Sequence, residues 1–320
     1  MALVVVLWIF VFLFVVAFDF SASVREEGMA VHRYAEETEG YYLALAGFQE
    51  ALYRLLQGSV SEGQPSRVRA ARADSLEVVD GTWSEGNLGE GLYRVRLVDE
   101  GGKVNLNRVD EATLTRILAN LGVEEPRRSV LLDSIFDWRD EDDLHRTNGA
   151  ESDYYLSLSV PYTAKNGLFD AVEELLWVRG MPPELFYGTE GGAGLKDIFS
   201  VDSPMDRINL RTAPAEVIHA LTGLPLEKSR AFVEERKKLS EKTIADMLKL
   251  LGIAAGDAAL RQFIFTNPSV IAIEAVGGHS GSAAERQVKA VIRLMGGQRG
   301  YQVIRWIDRD MIQGKMENAN

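Results

Sequence analysis

The chain has 320 residues, a formal net charge of −12 and no cysteine. The acidic balance speaks against a nucleic-acid surface, because phosphate neutralisation by Lys and Arg supplies most of the affinity at such surfaces. Without Cys there is no disulfide framework, no thiolate metal site and no cysteine nucleophile.

Ala2 to Phe18 is an uninterrupted run without a charge, a Gly or a Pro. As a helix it spans roughly 26 Å at about 1.5 Å per residue, close to the thickness of a bilayer core. Leu3, Val5, Trp8, Phe12 and Val16 are its predicted membrane or assembly contacts. From Val31 the apolar positions Val31, Tyr34, Tyr41, Leu45, Phe48 and Leu52 recur in steps of three and four with Thr38 and Leu55. That stripe predicts one helical stem continuing to residue 57. Three readings fit the apolar run: a cleaved secretory signal ending near Phe20-Ser21-Ala22-Ser23, a simple membrane anchor, or an assembly helix stored in lipid and later packed in a filament. No Lys or Arg precedes the run and no turn interrupts the stripe, which weighs against the first. Length alone does not separate the other two.

Strands are predicted at Leu76–Val79, Leu92–Val98 and Lys103–Leu106, the last two joined as a hairpin through Asp99-Glu100-Gly101-Gly102. Helices follow at Glu111–Leu121, Arg127–Trp138, Asp170–Val178, Ala213–Leu221, Leu226–Lys238 and Glu241–Leu251. Strands return at Val270–Val276, Gln287–Met295 and Gly300–Ile307. Strands split in this way predict one sheet with a helical insertion, since three C-terminal strands alone leave edges to cover. The predicted organisation is a rod and stem (1–57), a sheet body (58–107 and 266–307) and an inserted helical domain (108–265). The insertion divides into lobes of about 108–187 and 195–265 around the flexible-looking Gly188–Gly194, and a tail (308–320) closes the chain.

Val104-Asn105-Leu106-Asn107 and Ile208-Asn209-Leu210-Arg211 each precede a helix. They read either as two Asn-anchored turns leading into caps at Asp110 and Thr212, or as a duplication relating the lobes.

Five acidic side chains crowd Asp137-Trp138-Arg139-Asp140-Glu141-Asp142-Asp143. Asp137, Asp140 and Asp142 are spaced so that a tight loop could aim them inward, and Gly149 permits a turn bringing Glu151 back. Hard divalent cations such as Ca²⁺ take six to eight oxygens from such loops. The alternative is a solvated acidic helix end, with Arg139 and His145 as partial partners. A crowded hydrophilic loop is the wrong setting for paired acid/base carboxylates. Gly278-His279-Ser280-Gly281 lacks the nucleophile-elbow spacing. Asn209 to Thr212, a helix, then Gly223-Leu224-Pro225 is similar to a helix-hairpin-helix, yet Pro225 removes an N–H that phosphate binding would use.

In order along the chain stand Ala2-Leu3-Val4-Val5-Val6-Leu7-Trp8, Glu39-Gly40-Tyr41-Tyr42-Leu43-Ala44, Gly102-Lys103-Val104-Asn105-Leu106-Asn107 and Asp137-Trp138-Arg139-Asp140-Glu141-Asp142. Gly149-Ala150-Glu151, Tyr154-Tyr155, Pro161-Tyr162, Glu174-Leu175 with Val178-Arg179-Gly180, and Ile208-Asn209-Leu210-Arg211-Thr212-Ala213 follow. Together they resemble the K-type minor pseudopilin of the type II (general) secretion pathway. The resemblance implies an α+β, pilin-like fold, a long N-terminal helix packed on an antiparallel sheet with a large two-lobed all-α insertion. It implies a non-enzymatic subunit in the bacterial inner membrane, single-pass, with its body in the periplasm. Its expected partners are the I- and J-type minor pseudopilins, the major pseudopilin and the inner-membrane assembly platform, with no nucleic acid. Together with the I and J proteins it would start and cap the pseudopilus. A basic leader cut ahead of the apolar run is implied, and Val5 stands where major pilins carry Glu. The resemblance also implies structural Ca²⁺ in the helical domain, which favours Asp137, Asp140, Asp142 and Glu151 as ligands. The reading kept beside it is a membrane-anchored DNA-binding protein with a helix-hairpin-helix lobe.

Overall fold

The computed structural model describes residues 2–59, 79–189, 192–238, 244–252, 261–279, 285–295 and 300–310. The chain opens with helix α1 (Ala2–Ser59), then strands β1 (Ser84–Leu88), β2 (Gly91–Asp99) and β3 (Val104–Asn105). Helices α2 (Glu111–Asn120), α3 (Arg127–Arg139) and α4 (Ser152–Leu156) follow, then a 3-10 turn at Val172–Trp177, α5 (Pro183–Tyr187) and α6 (Leu195–Ile198). Next are β4 (Phe199–Ser200), β5 (Ile208–Asn209), α7 (Ala215–Thr222), α8 (Leu226–Lys238), α9 (Ile244–Leu251) and β6 (Phe263–Ile264). The chain returns to long strands in β7 (Val270–Gly278), β8 (Arg286–Leu294) and β9 (Tyr301–Asp310).

The main sheet is antiparallel throughout, in the order β1-β2-β7-β8-β9, and among the described residues every α-helix after α1 lies in sequence between the neighbouring strands β2 and β7. Alternate side chains of β7 point to opposite faces. Ile271, Ile273 and Ala275 meet Ala44, Phe48, Ala51, Leu52 and Leu55 of α1, with Val95, Leu97, Val288, Ala290 and Ile292 from the flanking strands. The helix comes so close to β7 that a Cβ on Gly277 would lie 2.3 Å from the Ala44 nitrogen. On the opposite face Glu274 sits directly across from Arg96 of β2 and Lys289 of β8 and pairs with both, at 2.6 and 2.9 Å.

The helix continues through the predicted stem, but only part of its stripe packs on this chain's own sheet. Tyr41, Leu45, Phe48 and Leu52 pack on the sheet, whereas Val31 and Tyr34 are 69% and 73% exposed. The reason is length: a nine-residue strand such as β7 reaches about 30 Å, which about 20 residues of helix cover. Leu3, Val5, Trp8, Phe12 and Val16 are all exposed on the bare N-terminal part of α1.

The predicted Leu92–Leu106 hairpin does not form. Glu100–Gly102 is a 3-10 turn, and Val104–Asn105 leaves the sheet to pair in parallel with Phe199–Ser200. The hairpin partner of β2 is β1, whose Ser84-Glu85-Gly86-Asn87-Leu88 lacks the β-branched residues that mark a strand. Of Leu76–Val79 only Val79 lies within the described residues, packed against the α1 core. Asp308 to Asp310 continue β9 instead of starting the tail, whose remaining residues lie outside those described. Asp170–Val178 forms a 3-10 turn and no α-helix. Part of Gly188–Gly194 lies outside the described residues; of the rest, the Gly192 N–H donates to the Thr189 carbonyl at 2.8 Å.

The helical insertion has one continuous core, from Leu106, Leu114, Ile117 and Leu118 through Ile135, Trp138 and Tyr155 to Leu210, Val217, Ile218, Leu221 and Phe232.

Candidate metal centre

Helix α3 delivers the first ligand candidate. Asp137 is fully buried on its last turn, and both carboxylate oxygens accept the Arg146 backbone N–H, at 3.2 and 3.1 Å. Asp140 stands at the C-cap of the same helix, and Glu151 at the N-cap position of α4, only 2% exposed. One oxygen from each of Asp137, Asp140 and Glu151 lies within 4.8 Å of the others. Gly149 makes the closure possible, because a Cβ there would sit 1.8 Å from Asp137 Oδ2.

The electrostatics of this trio are unfavourable as it stands. Burial, then the charges of Asp137, Asp140, Asp143 and Asp142, push the Glu151 carboxyl up to about 7. Burial also raises Asp137 against the Arg146 N–H, with the Asp140 charge adding to it, and burial plus the Asp142 charge raises Asp140. Both Glu151 oxygens and Asp140 Oδ1 are buried without a hydrogen-bond partner. Buried oxygens of that kind cost free energy unless a proton or a cation meets them. Three convergent hard oxygens fit an oxygen-seeking divalent cation such as Ca²⁺, which draws further ligands from carbonyls and water.

Asp142, predicted beside them, is not in the trio. It is exposed and spends Oδ1 on the Leu144 N–H at 2.8 Å. The Arg139 charge offsets only part of the rise at Asp140, because its guanidinium is committed elsewhere. Arg139 donates to the Leu106 and Val109 carbonyls at 2.9 Å each, and His145 faces solvent. The loop is held by residues the sequence reading passed over. Arg146 pairs with Glu111 at 3.0 Å and covers the Phe136 ring, and Arg179 donates to the Gly149 carbonyl at 2.9 Å.

Elsewhere the chemistry is sparse. A cleft of about 80 Å³ lies between the lobes, lined by residues including Arg108, Asp110, Asp206 and Gln262. Small-molecule pockets usually start near 300 Å³. In the helix-hairpin-helix-like segment the Gly223 N–H donates to the His219 carbonyl and the Leu224 N–H to Thr222 Oγ1. With Pro225 lacking an N–H, this hairpin offers no backbone donor to phosphate.

Residues 95–188, which include all three carboxylates, match the family model described as T2SSK_1st, Type II secretion system (T2SS), protein K. That segment is similar to type II secretion system protein K. Two curated relatives carry the same name, Type II secretion system protein K. The one from Pectobacterium carotovorum subsp. carotovorum is 28% identical over 128 residues, and the one from Klebsiella pneumoniae is 38% identical over 72. The aligned stretches cover 38% and 22% of this chain and the same shares of those relatives. In fold a likeness extends much further. A crystal structure of the GspK-GspI-GspJ complex from the enterotoxigenic Escherichia coli type 2 secretion system matches with a TM-score of 0.65. It covers 89% of this chain and 99% of that one at 19% identity. The long helix on an antiparallel sheet with its helical insertion is thus the fold of a chain in that complex.

Proposed function

We propose that this chain is a non-enzymatic minor pseudopilin that assembles with I- and J-type partners at the tip of a type II secretion pseudopilus and starts its growth. The observation that carries this reading is the match to protein K at 95–188, embedded in a fold that covers almost the whole of a chain from the GspK-GspI-GspJ complex. The mechanics agree. The apolar start of α1 is long enough to cross a membrane, and it buries nothing against its own head. Such a helix can leave lipid for a bundle of similar helices without unfolding anything. The helical insertion emerges from the sheet between β2 and β7, and its bulk would deny a further subunit room above it. In this reading the helix anchors the chain in the inner membrane, the head lies in the periplasm, and the assembly platform and major pseudopilin supply the growing filament below.

The cation reading belongs to the same proposal. Asp137, Asp140 and Glu151 would hold a structural Ca²⁺, which neutralises three crowded carboxylates and ties the end of α3 to the start of α4. Co-purification of the chain with its I and J counterparts, in calcium and in chelator, tests both parts. A stable ternary complex that loosens with chelator is expected. Failure to associate in calcium would refute the tip role, and an unchanged melting temperature with and without chelator would refute the structural cation.

A further inference from the structure

Two acidic side chains stand where α1 leaves the sheet, and each reaches a different strand end. Glu37 Oε2 pairs with Arg286 Nη2 at 2.6 Å, and Glu39 Oε2 pairs with His279 Nε2 at 3.0 Å, the second pair being ionic when the ring carries a proton. Beside them is Gly40, the first buried residue of α1 among those described, counted from the N-terminus. At about 100° of turn per residue, Glu37 lies roughly 60° to one side of Gly40 and Glu39 roughly 100° to the other. The two carboxylates therefore flank the line along which the helix touches the sheet.

On the sheet side, Gly277 stands directly across from Arg286 in the β7–β8 ladder, and His279 follows Gly277 by two residues. A Cβ on Gly277 would run into the Gly40 carbonyl oxygen and the Ala44 nitrogen, so backbone meets backbone at this point. Such a contact brings the helix close but supplies no side-chain ridge to lodge in a groove. The apolar grip begins further along α1, at Ala44, Phe48 and Leu52. Glu37 lies eleven residues before Phe48, about 16 Å along the axis. A restraint at that distance from the grip has far more purchase on the helix angle than one inside it. Partly exposed ion pairs of this kind add little to folding stability, so their effect falls on direction.

We infer that Glu37–Arg286 and Glu39–His279 form a two-sided ionic brace that fixes the angle at which the bare part of α1 leaves the head. A swing of the helix to either side stretches the pair on the other. The inference uses contacts within this chain alone and stands whether or not the cation reading or the tip role holds.

The chain has no cysteine, so two introduced ones can be spin-labelled without background. Met29→Cys on the bare helix and Leu88→Cys at the end of β1 are both exposed. In the full-length chain in detergent, pulsed electron paramagnetic resonance reads the distribution of distances between them. A narrow distribution is expected at about 0.05 M salt, and one about twice as wide in Glu37→Gln with Glu39→Gln. The melting temperature should stay within about 3 °C of the parent. Exchanging the charges, Glu37→Arg with Arg286→Glu, should bring the narrow distribution back. An unwidened distribution in the neutral variant would overturn the inference. Equal widening in the charge-exchanged variant would overturn it too, by showing that side-chain shape and not charge sets the angle. Should the neutral variant melt far lower, the labelled parent at about 1 M salt decides, because screening reaches partly exposed pairs: widening there supports the brace and an unchanged width overturns it.

Discussion

At the scale of single residues, two positions carry opposite electrostatic designs. Burial alone would raise the Glu274 carboxyl, but the Lys289 and Arg96 charges outweigh it and hold the group down to about 2. A carboxyl depressed in the fold contributes stability above its ordinary pKa near 4.5 and loses it as pH falls from there toward 2. Glu274→Gln should therefore cost on the order of 3 kcal/mol near pH 7 and far less near pH 2.5, read from urea unfolding at both pH values. Gly149→Ala meets the other design. Its methyl group would collide with the Asp137 carboxylate, so loss of Ca²⁺ binding and about 1–3 kcal/mol of destabilisation are expected by calorimetry. The acidic segment was legible because five acidic side chains within seven residues need an explanation. Which carboxylates turn inward was not. Glu151 enters the trio through the turn at Gly149, and Asp142 leaves it to accept the Leu144 N–H, choices that spacing does not encode.

At the scale of elements, the lobes repeat one another in their hydrogen bonds. Asn105 and Asn209 each end a two-residue parallel strand, paired with Ser200 and Ile264 respectively. The Val109 N–H donates to the Asn105 carbonyl as the Ala213 N–H does to that of Asn209, at 2.9 and 2.8 Å. Arg139, at the end of α3, clamps the Leu106 and Val109 carbonyls, and Arg236, near the end of α8, clamps those of Leu210 and Ala213 at 2.8 and 2.9 Å. Shared turns alone would not place an arginine from the second helix of each pair on the same two carbonyls, so the duplication reading gains. The caps diverge: Asp110 caps α2 through the Thr113 N–H, whereas Thr212 donates its hydroxyl to Asp99 and caps nothing. Arg139→Met and Arg236→Met should each cost about 1–3 kcal/mol by leaving buried carbonyls unpaired, measured by thermal melts of the single variants. The sequence showed the Asn motifs but not the arginines, which sit at different distances from them. After its clamp the first lobe runs into Asp140, and the second into Lys237, paired with Asp80 at 3.1 Å.

At the scale of the whole molecule, helix and head are separable. The strand order was legible in outline, because Val- and Ile-rich segments flanked a long helical stretch. The point where the stem leaves the sheet was not, since it depends on strand length set by β2, β7 and β8 together. Deleting residues 2–34 should leave the melting temperature of the head within about 2 °C while abolishing its partition into membranes, assayed by flotation with lipid vesicles. α1 runs without a break from Ala2 to Ser59, but only its portion from about Gly40 onward is gripped by the sheet. The bare portion is thus a lever arm of roughly 55 Å. A change of about 5° in tilt at its foot swings the head sideways by about 5 Å, and a push along its axis reaches the sheet with no joint to absorb it.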